Sequence, residues 1–205
     1  MKATILPTVA LAIALSSCEN PADKTTSAEV GKAETVTTST AGTRYTLTEN
    51  SKIGFTGSKV TGSHSGGFSK FTGTFTLNPE DPAKSSGRVE IDMDSTWSDN
   101  DKLTTHLKND DFFDVTEHPT TVFELTSLEK TSDTAYQVSG NLTLRGETKN
   151  ITFPATASVT GDSVAITSTF DINRKNFGIV HPGKQDDLIR DEVVITLELE
   201  ATPAN

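Results

Sequence analysis

Apolar and polar residues alternate along most of the chain. Val89, Ile91 and Met93 would point to one side of an extended segment, and Glu90 and Asp92 to the other. This period of two is typical of β-strands that bury one face. The same alternation returns in about eight runs between residues 45 and 199, so the pattern predicts a protein built mainly of half-buried strands.

Short turn sequences separate most of these runs. Ser132-Asp133, Gly146-Glu147 and Gly161-Asp162 would each join two neighbouring strands as a hairpin. A long sheet of this kind curls, and closing it removes both unpaired edges. We therefore predict an all-β fold, a lipocalin-like antiparallel up-and-down barrel of about eight strands. Side chains could fill its interior, or the interior could hold one elongated apolar ligand.

The segment from Leu103 to Phe123 breaks the alternation. Leu103 and Leu107 are four residues apart, as on one face of a helix, and Asn100 is a suitable N-cap. Pro119 prevents the helix from continuing, after which strand character resumes. These features predict one short helical insert that covers an end of the barrel.

Aromatic and acidic residues follow the predicted helix. We expect Phe112 and Phe113 to anchor its exit against the barrel. Asp110, Asp111 and Asp114 lack the Asp-x-Asp-x-Asp-Gly spacing of a calcium loop. They are therefore interpreted as the solvated outer face of the cover.

The first 42 residues differ from the rest of the chain. Residues 5–15 form an apolar run that is too short to span a bilayer, and it ends in Leu15-Ser16-Ser17-Cys18, which is similar to a bacterial lipobox. We predict a signal peptide at 1–17, a lipidated Cys18 with a disordered tether at 18–42, and a barrel domain at 43–202. The protein would then be a membrane-anchored lipoprotein of the cell envelope, facing the periplasm or the exterior. Cys18 is the only cysteine, so no disulfide can form within one chain.

Charge and motifs exclude several functions. The formal net charge of −10 argues against a nucleic-acid partner. No Gly-x-Ser-x-Gly motif is present, and no pair of histidines has the spacing of a metal motif. We therefore predict no catalytic residues, no metal site and no cofactor. The four histidines are expected to be surface or hydrogen-bonded residues: His64, His106, His118 and His181.

The aromatic residues carry more information about function. The chain has ten phenylalanines against one tryptophan and two tyrosines. Most fall on predicted inward faces, where they could form a packed core or the wall of a hydrophobic tunnel. Ala155 and Ala157 are small for a filled interior, which favours the tunnel. The predicted ligand-binding residues are Ile53, Phe55, Phe71, Phe75, Phe113, Phe123, Leu142, Phe153, Phe170 and Ile172.

Five blocks of sequence, in order, resemble the YceI-like family of lipocalin-like barrels that bind polyisoprenoids. The resemblance extends from about Arg44 to Ala201, and the chain departs from the family pattern at Asn50, Asn176 and His181. It implies an extended barrel with a helix at one end and a long isoprenoid chain, such as a quinone or polyprenyl lipid, inside. The implied role is non-catalytic transport or storage of that lipid in the cell envelope. The blocks are residues 53–55, 67–73, 106–114 with Pro119 and Phe123, 140–149, and 172–178 with 191–193.

Two other functions stay open from the sequence. A filled barrel could act as an envelope stress or interaction protein, and it would have no cavity. An enzyme could use His64, His106 and nearby acids, and it would bring two or more histidines together at a cavity mouth. The sequence does not indicate an oligomeric state.

Overall fold

The structure, a computed structural model, describes residues 19–36, 38–39 and 41–204. The predicted signal peptide and Cys18 lie outside the described residues. One α-helix is present in the described part, α1 at Asp101–Leu107. Four 3-10 turns lie at Pro21–Lys24, Pro82–Lys84, Met93–Ser95 and Arg174–Phe177. The strands are β1 Thr26–Ser27, β2 Glu29–Lys32, β3 Thr43–Leu47, β4 Lys52–Lys59, β5 Gly62–Phe68, β6 Phe71–Leu77, β7 Ser86–Asp92, β8 Thr96–Ser98, β9 Thr120–Lys130, β10 Ala135–Leu144, β11 Glu147–Thr160, β12 Ser163–Asn173, β13 Gly183–Lys184, β14 Asp187–Leu188 and β15 Glu192–Pro203.

Eight antiparallel strands close into a barrel. Their order is β3, β6, β7, β9, β10, β11, β12 and β15, and β15 returns to pair with β3. The β12–β15 ladder is long, running from Val164 opposite Ala201 to Asn173 opposite Glu192. The predicted all-β barrel of about eight strands with one helical insert is therefore confirmed.

One end of the barrel is extended by extra strands. β15 pairs with β3 near its C-terminus and with β4 nearer its N-terminus. β4 then pairs with β5, and β5 with β8. These strands lengthen the wall on the side where α1 lies.

Tight turns fix the register of the long hairpins. Arg145 and Gly146, between β10 and β11, both have positive φ, at 50° and 76°. Two successive residues with positive φ form a two-residue hairpin turn, and its backbone twist matches the twist of the paired strands. Leu144 consequently lies opposite Glu147, and the alternating faces stay aligned along the ladder.

The N-terminal segment differs from the predicted disordered tether. β1 pairs in parallel with β12 at Phe170 and Asp171, and β2 pairs with β11 from Lys149 to Thr152. β11 and β12 pair with each other only near their shared turn, from Thr156 opposite Thr167 to Thr160 opposite Ser163. The N-terminal segment therefore fills the gap where these two strands separate. The prediction failed because pairing uses backbone groups that every sequence supplies, so a segment poor in apolar residues can still complete a sheet.

Polar side chains fasten this segment to the barrel. The hydroxyls of Thr25 and Ser27 donate to Asp171 Oδ2 over 2.7 and 3.2 Å, and Asp171 is only 2 % exposed. Asn141, also buried, exchanges two hydrogen bonds with the backbone of Glu34. Both buried polar groups are thus satisfied by the segment that covers them.

Helix α1 begins and ends as its sequence indicates. The side chain of Asn100 accepts a hydrogen bond from the Leu103 amide over 3.1 Å, which makes it the N-cap. Irregular turns follow from Lys108, and β9 begins at Thr120, one residue after Pro119.

No helix in the described ranges is both long and apolar enough to cross a bilayer.

Candidate functional site: a cavity along the barrel

The barrel encloses a cavity of about 1070 Å³. We call the end formed by residues 93–118 and 174–191 the helical end, and the end formed by the turns at 78–85, 131–134 and 161–162 the hairpin end. The cavity wall includes Asn78 and Thr134 at the hairpin end and His106 and Ile189 at the helical end. The cavity therefore runs the length of the barrel, and its size is at the upper end of the range for small-molecule sites.

The sequence predicted most of the cavity wall correctly. Nine of the ten predicted ligand-binding residues line the cavity. Phe71 does not, because β6 pairs with β3 only from Thr74 to Leu77, so Phe71 lies past the end of β3. It packs against the smaller core cluster of Ile53, Val89 and Leu199 and lines a surface depression beside Thr48 and Glu49. The nine are Ile53, Phe55, Phe75, Phe113, Phe123, Leu142, Phe153, Phe170 and Ile172; that they bind a ligand stays a prediction.

Glycines explain how a barrel rich in phenylalanine stays hollow. Phe75 lies opposite Gly87 on the neighbouring strand, and a methyl group on Gly87 would come within 2.5 Å of the Phe75 ring. The Phe123 ring covers Gly140 in the same way. Because these glycines lack a side chain, the rings can lie against the wall rather than extend into the interior.

Aromatic packing holds the cover at the helical end. Phe113 contacts Phe55 and Phe68, with ring centroids 6.3 and 6.1 Å apart. Leu107 and Phe112 are each 7 % exposed and belong to the main core. Sequence reasoning correctly placed the helix and the two phenylalanines as anchors of this cover.

A buried arginine braces the other part of the helical end. Arg174 is 4 % exposed. Its guanidinium donates to the carbonyl oxygens of Ile179, Ile189 and Arg190 over 2.7, 3.3 and 3.0 Å, and Asp191 Oδ1 lies 3.6 Å away. Burial lowers the pKa of the guanidinium from its ordinary value, but arginine stays charged at all ordinary pH values.

Ion pairs close the surface of the same loop. Lys59, at the tip of β4, pairs with Asp187. Thr61 Oγ1 donates to the same carboxylate over 2.9 Å. The hydrogen bond from Lys59 has the largest effect, and together with that from Thr61 it holds the pKa of Asp187 below its usual range.

His64 and His106 are hydrogen-bonded, as predicted, but the sequence did not indicate that two of the histidines approach each other. His64 pairs with Asp99 over 2.7 Å, and hydrogen bonds from Ser65 and then from His64 lower the pKa of Asp99. His106 and His181, in contrast, approach each other, with ring centroids 5.2 Å apart. Both lie in the wall of the cavity at its helical end. Sequence reasoning missed this proximity because the two residues are far apart in the chain and match no local motif.

Sequence reasoning also did not identify Arg174, Asp171 or Arg145 as organising residues. Arg145 Nη1 donates to the carbonyl oxygen of Gly178, and Nη2 to that of Asp110, each over 2.8 Å. It therefore joins the two segments that form the helical end. Each of these residues acts on backbone or side chains that are distant in the chain, and an isolated charged residue gives no such signal.

The cavity bears on the alternative functions. The hypothesis of a filled structural barrel predicted that there is no cavity, and the cavity shows that this prediction is wrong. The enzyme hypothesis expected converging histidines, which His106 and His181 provide, although His64 lies apart from them beside Asp99.

Comparison with known proteins agrees with the fold. A UPF0312 protein of Pseudomonas putida is 33 % identical over 124 residues, which are 58 % of this chain and 65 % of that protein. The chain thus spans about 65 % of the length of this relative. A UPF0312 protein of Pseudomonas aeruginosa is 32 % identical over 120 residues, covering 56 % of this chain and 62 % of that protein.

Solved structures show the same architecture. Burkholderia cenocepacia BcnA superimposes with a TM-score of 0.70 at 25 % identity, covering 75 % of this chain and 97 % of BcnA. A polyisoprenoid binding domain from Saccharophagus degradans gives 0.64 at 16 % identity, covering 78 % and 98 %. The second likeness supports the fold alone.

The YceI-like domain model matches residues 45–201, which are the closed barrel together with α1 and its cover. The match accounts for more than half of the chain and agrees with the fold of the solved structures. The chain therefore belongs to the YceI-like family.

Proposed function

We propose that the barrel binds one long apolar lipid of the isoprenoid type, a quinone or a polyprenyl chain, inside the cavity. The observation that carries this proposal is the apolar cavity of about 1070 Å³ that extends from the hairpin end to the helical end. A lipid chain removed from water into such a space gains about 25 cal/mol per Å² of buried apolar surface. The choice of lipid class follows the family resemblance of the sequence, since the chain belongs to the YceI-like family and a domain of similar fold from Saccharophagus degradans is a polyisoprenoid binding domain.

The wall is suited to recognising shape rather than charge. Phe153 and Phe170 stack with ring centroids 4.1 Å apart, and aliphatic side chains surround them. A hydrocarbon chain without charge can enter such a cavity without leaving a polar group of its own unpaired. Selection of an isoprenoid over a straight acyl chain would rest on how its methyl branches fit between the rings.

We infer that the lipid is carried or stored in the cell envelope, with the protein held to a membrane by a lipid on Cys18. Asn20 Oδ1 accepts a hydrogen bond from Ser58 Oγ over 3.4 Å, and Ser58 lines the cavity. Cys18 precedes Asn20 by two residues, so a lipid on Cys18 would hold the helical end close to the membrane surface. Metabolic labelling with a fatty acid tests the anchor: the wild type incorporates label, and Cys18→Ala does not. Equal labelling of both would contradict it.

Lipid extraction tests the binding function. The full chain, produced in its native host, is purified, extracted with organic solvent and examined by mass spectrometry for co-purified lipid. Ala155→Phe places a ring on the cavity wall and is expected to lower the lipid-to-protein ratio at least several-fold. Ala165→Phe is the matched control, because Ala165 lies on the adjacent strand with its side chain exposed.

The outcomes separate clearly. An isoprenoid lipid that co-purifies with the wild type and Ala165→Phe, and is depleted from Ala155→Phe, supports the proposal. No lipid in repeated wild-type preparations, or equal lipid in both variants when Ala155→Phe is folded by circular dichroism, contradicts it. If Ala155→Phe does not fold, Ala157→Phe on the same wall takes its place.

A further inference from the structure

Two imidazoles and one carboxylate meet at the helical end. His106 lies in the last turn of α1, Asp111 in the turns that follow, and His181 just before β13. His106 Nε2 is 3.0 Å from Asp111 Oδ2, and His181 Nδ1 is 3.5 Å from Asp111 Oδ1. One donor atom from each residue lies within 4.8 Å of the other two. Among the described residues, no second group of three histidine, cysteine or acidic side chains comes together in this way.

The two rings are held in place by the core. Phe112 is 7 % exposed, and its ring centroid lies 4.9 Å from that of His106 and 5.3 Å from that of His181. Both imidazoles therefore pack on one buried ring, which limits their rotation while their nitrogens face the carboxylate. Packing of this kind restricts the rotamers of both rings and so holds them ready to bind a metal.

The backbone segments that carry the three residues are also joined. Arg145 binds the carbonyl oxygen of Asp110, next to Asp111, and that of Gly178, three residues before His181. A site shared between two loops needs such a connection, because otherwise metal binding would have to order both loops. The geometry is consequently formed before any metal binds.

The donor atoms match the preferences of zinc. Catalytic and exchangeable zinc sites use three histidine or carboxylate ligands at about 2.0–2.2 Å and leave a fourth position for water. Tetrahedral bonds of that length separate the ligand atoms by about 3.3 Å, so a donor triangle within 4.8 Å closes with small side-chain rotations. Asp111 is half-exposed, with 51 % of its side-chain surface accessible, which gives a metal ion a path from solvent.

We propose that His106, Asp111 and His181 bind a divalent transition-metal ion, with Zn²⁺ as the preferred occupant and one coordination position left open. The metal would take the place of the direct contacts that His106 and His181 make with the Asp111 carboxylate. It would tie α1 and its following turns to the 174–191 loop, and so join the two halves of the helical end. The site does not depend on the identity of the bound lipid, or on whether a lipid binds at all.

The mutual hydrogen bonds support deprotonation of the carboxylate. The His106 hydrogen bond, followed by the nearby His181, lowers the pKa of Asp111 from its ordinary value. Asp111 is therefore anionic at neutral pH, which is the form that binds a metal ion.

Titration with zinc tests the site. The purified full chain is stripped with a chelator, exchanged into metal-free buffer at neutral pH and titrated with ZnCl₂ by calorimetry. We expect one ion per chain and a thermal midpoint that rises with zinc concentration, since a ligand that binds only the folded state stabilises it. Co²⁺ in place of Zn²⁺ should show the d–d absorption of a four-coordinate site.

Variants locate the ion. His106→Gln, His181→Gln and Asp111→Asn should each weaken zinc binding at least about a hundredfold, more than the 10–100-fold typical of losing a supporting residue. His64→Gln is the matched control: its ring pairs with a single carboxylate, Asp99, and its loss should leave the affinity unchanged. Thermal unfolding in the presence of chelator shows whether each variant is folded. If one of the three site variants does not fold, the test rests on the other two.

Three results would overturn the proposal. The first is the absence of saturable zinc binding by the wild-type protein at micromolar zinc concentrations. Unchanged affinity in folded His181→Gln or Asp111→Asn is the second. The third is loss of binding in His64→Gln as large as in the site variants.

Discussion

At the scale of single residues, Arg174 organises the 174–191 loop from inside. Its guanidinium donates to three carbonyl oxygens of the loop. A buried cation is costly unless it is hydrogen-bonded, and here each of the three guanidinium nitrogens donates one hydrogen bond. The residue thus serves as a fixed internal scaffold for one half of the helical end.

Replacing Arg174 with methionine should destabilise the domain by about 2–4 kcal/mol, because it removes three hydrogen bonds to carbonyl oxygens of the loop and the nearby charge of Arg174 from Asp191. Urea denaturation measures the free energy of unfolding. Lys175→Met is the control: Lys175 pairs with the same carboxylate over 2.9 Å from a half-exposed position, and such pairs contribute about 1 kcal/mol or less. Similar losses in the two variants would show that the carbonyl contacts do not matter.

A second residue-scale contact makes stability depend on pH. The pKa of Asp187 is below its ordinary value of 3.8 in the folded protein, because it accepts hydrogen bonds from Lys59 and Thr61. A lowered folded-state pKa means that the pair stabilises the fold above the unfolded-state pKa, and that this stabilisation disappears as pH falls through the folded-state value.

Asp187→Asn should therefore lower the melting temperature at pH 7, and the difference from wild type should shrink below about pH 4 as the wild-type carboxylate is protonated. Thermal melts across this pH range measure it. Asp186→Asn changes the same charge at the adjacent exposed position and should have little effect at any pH. A difference that persists undiminished at the acidic end would rule out the ion pair as its cause.

At the scale of elements, the N-terminal segment is part of the barrel wall. β1 and β2 occupy the gap between β11 and β12, and Ala28 packs against the main core. The Ala28 amide also donates to the carbonyl oxygen of Asp171 over 2.8 Å. Without this segment, the outward side of Asp171 and the separated strand edges would face solvent.

The double variant Thr25→Val with Ser27→Ala should destabilise the domain by about 1–3 kcal/mol, because the buried Asp171 carboxylate loses two hydroxyl donors. Hydrogen exchange of amides 26–32 should accelerate more than exchange in β15. Thr26→Val, at the exposed position between them, is the control and should leave the exchange unchanged. Equal exchange rates in the double variant and wild type would mean that Asp171 does not hold the segment.

The elements that the sequence predicted correctly are those with local signals. Alternation identified the long strands, and paired turn residues placed the hairpins at 132–133 and 161–162. The hairpin predicted at Gly146-Glu147 turns one residue earlier, at Arg145 and Gly146. Asn100 and Pro119 marked the limits within which α1 and its turns lie. The elements that escaped prediction depend on distant partners. Strands β1 and β2 pair through backbone atoms, and Phe71 could not be distinguished from Phe75 without knowing where β3 ends. The approach of His106 to His181 follows from the folding of two loops against Arg145, which no local pattern records.

At the scale of the whole molecule, the cavity depends on where the aromatic rings lie. Alternation alone predicts which residues face inward, but a filled barrel and a hollow one share that pattern. The difference arises from residues opposite the phenylalanines. Small positions let a ring lie flat on the wall, so hollowness is a property of strand pairs rather than of single strands.

Gly87→Ala tests this origin of the cavity. The added methyl group would come within 2.5 Å of Phe75 Cδ1, and the ring would have to turn away from the wall into the interior. We expect a stability loss of about 1–3 kcal/mol, as for other overpacked positions. The same change should weaken binding of an added isoprenoid quinone, measured by fluorescence quenching of the protein. Gly57→Ala is the matched control: it also lines the cavity, but a methyl group there would meet no atom within 4 Å. If the two variants bind the quinone equally, the flat-lying rings are not what keeps the barrel open.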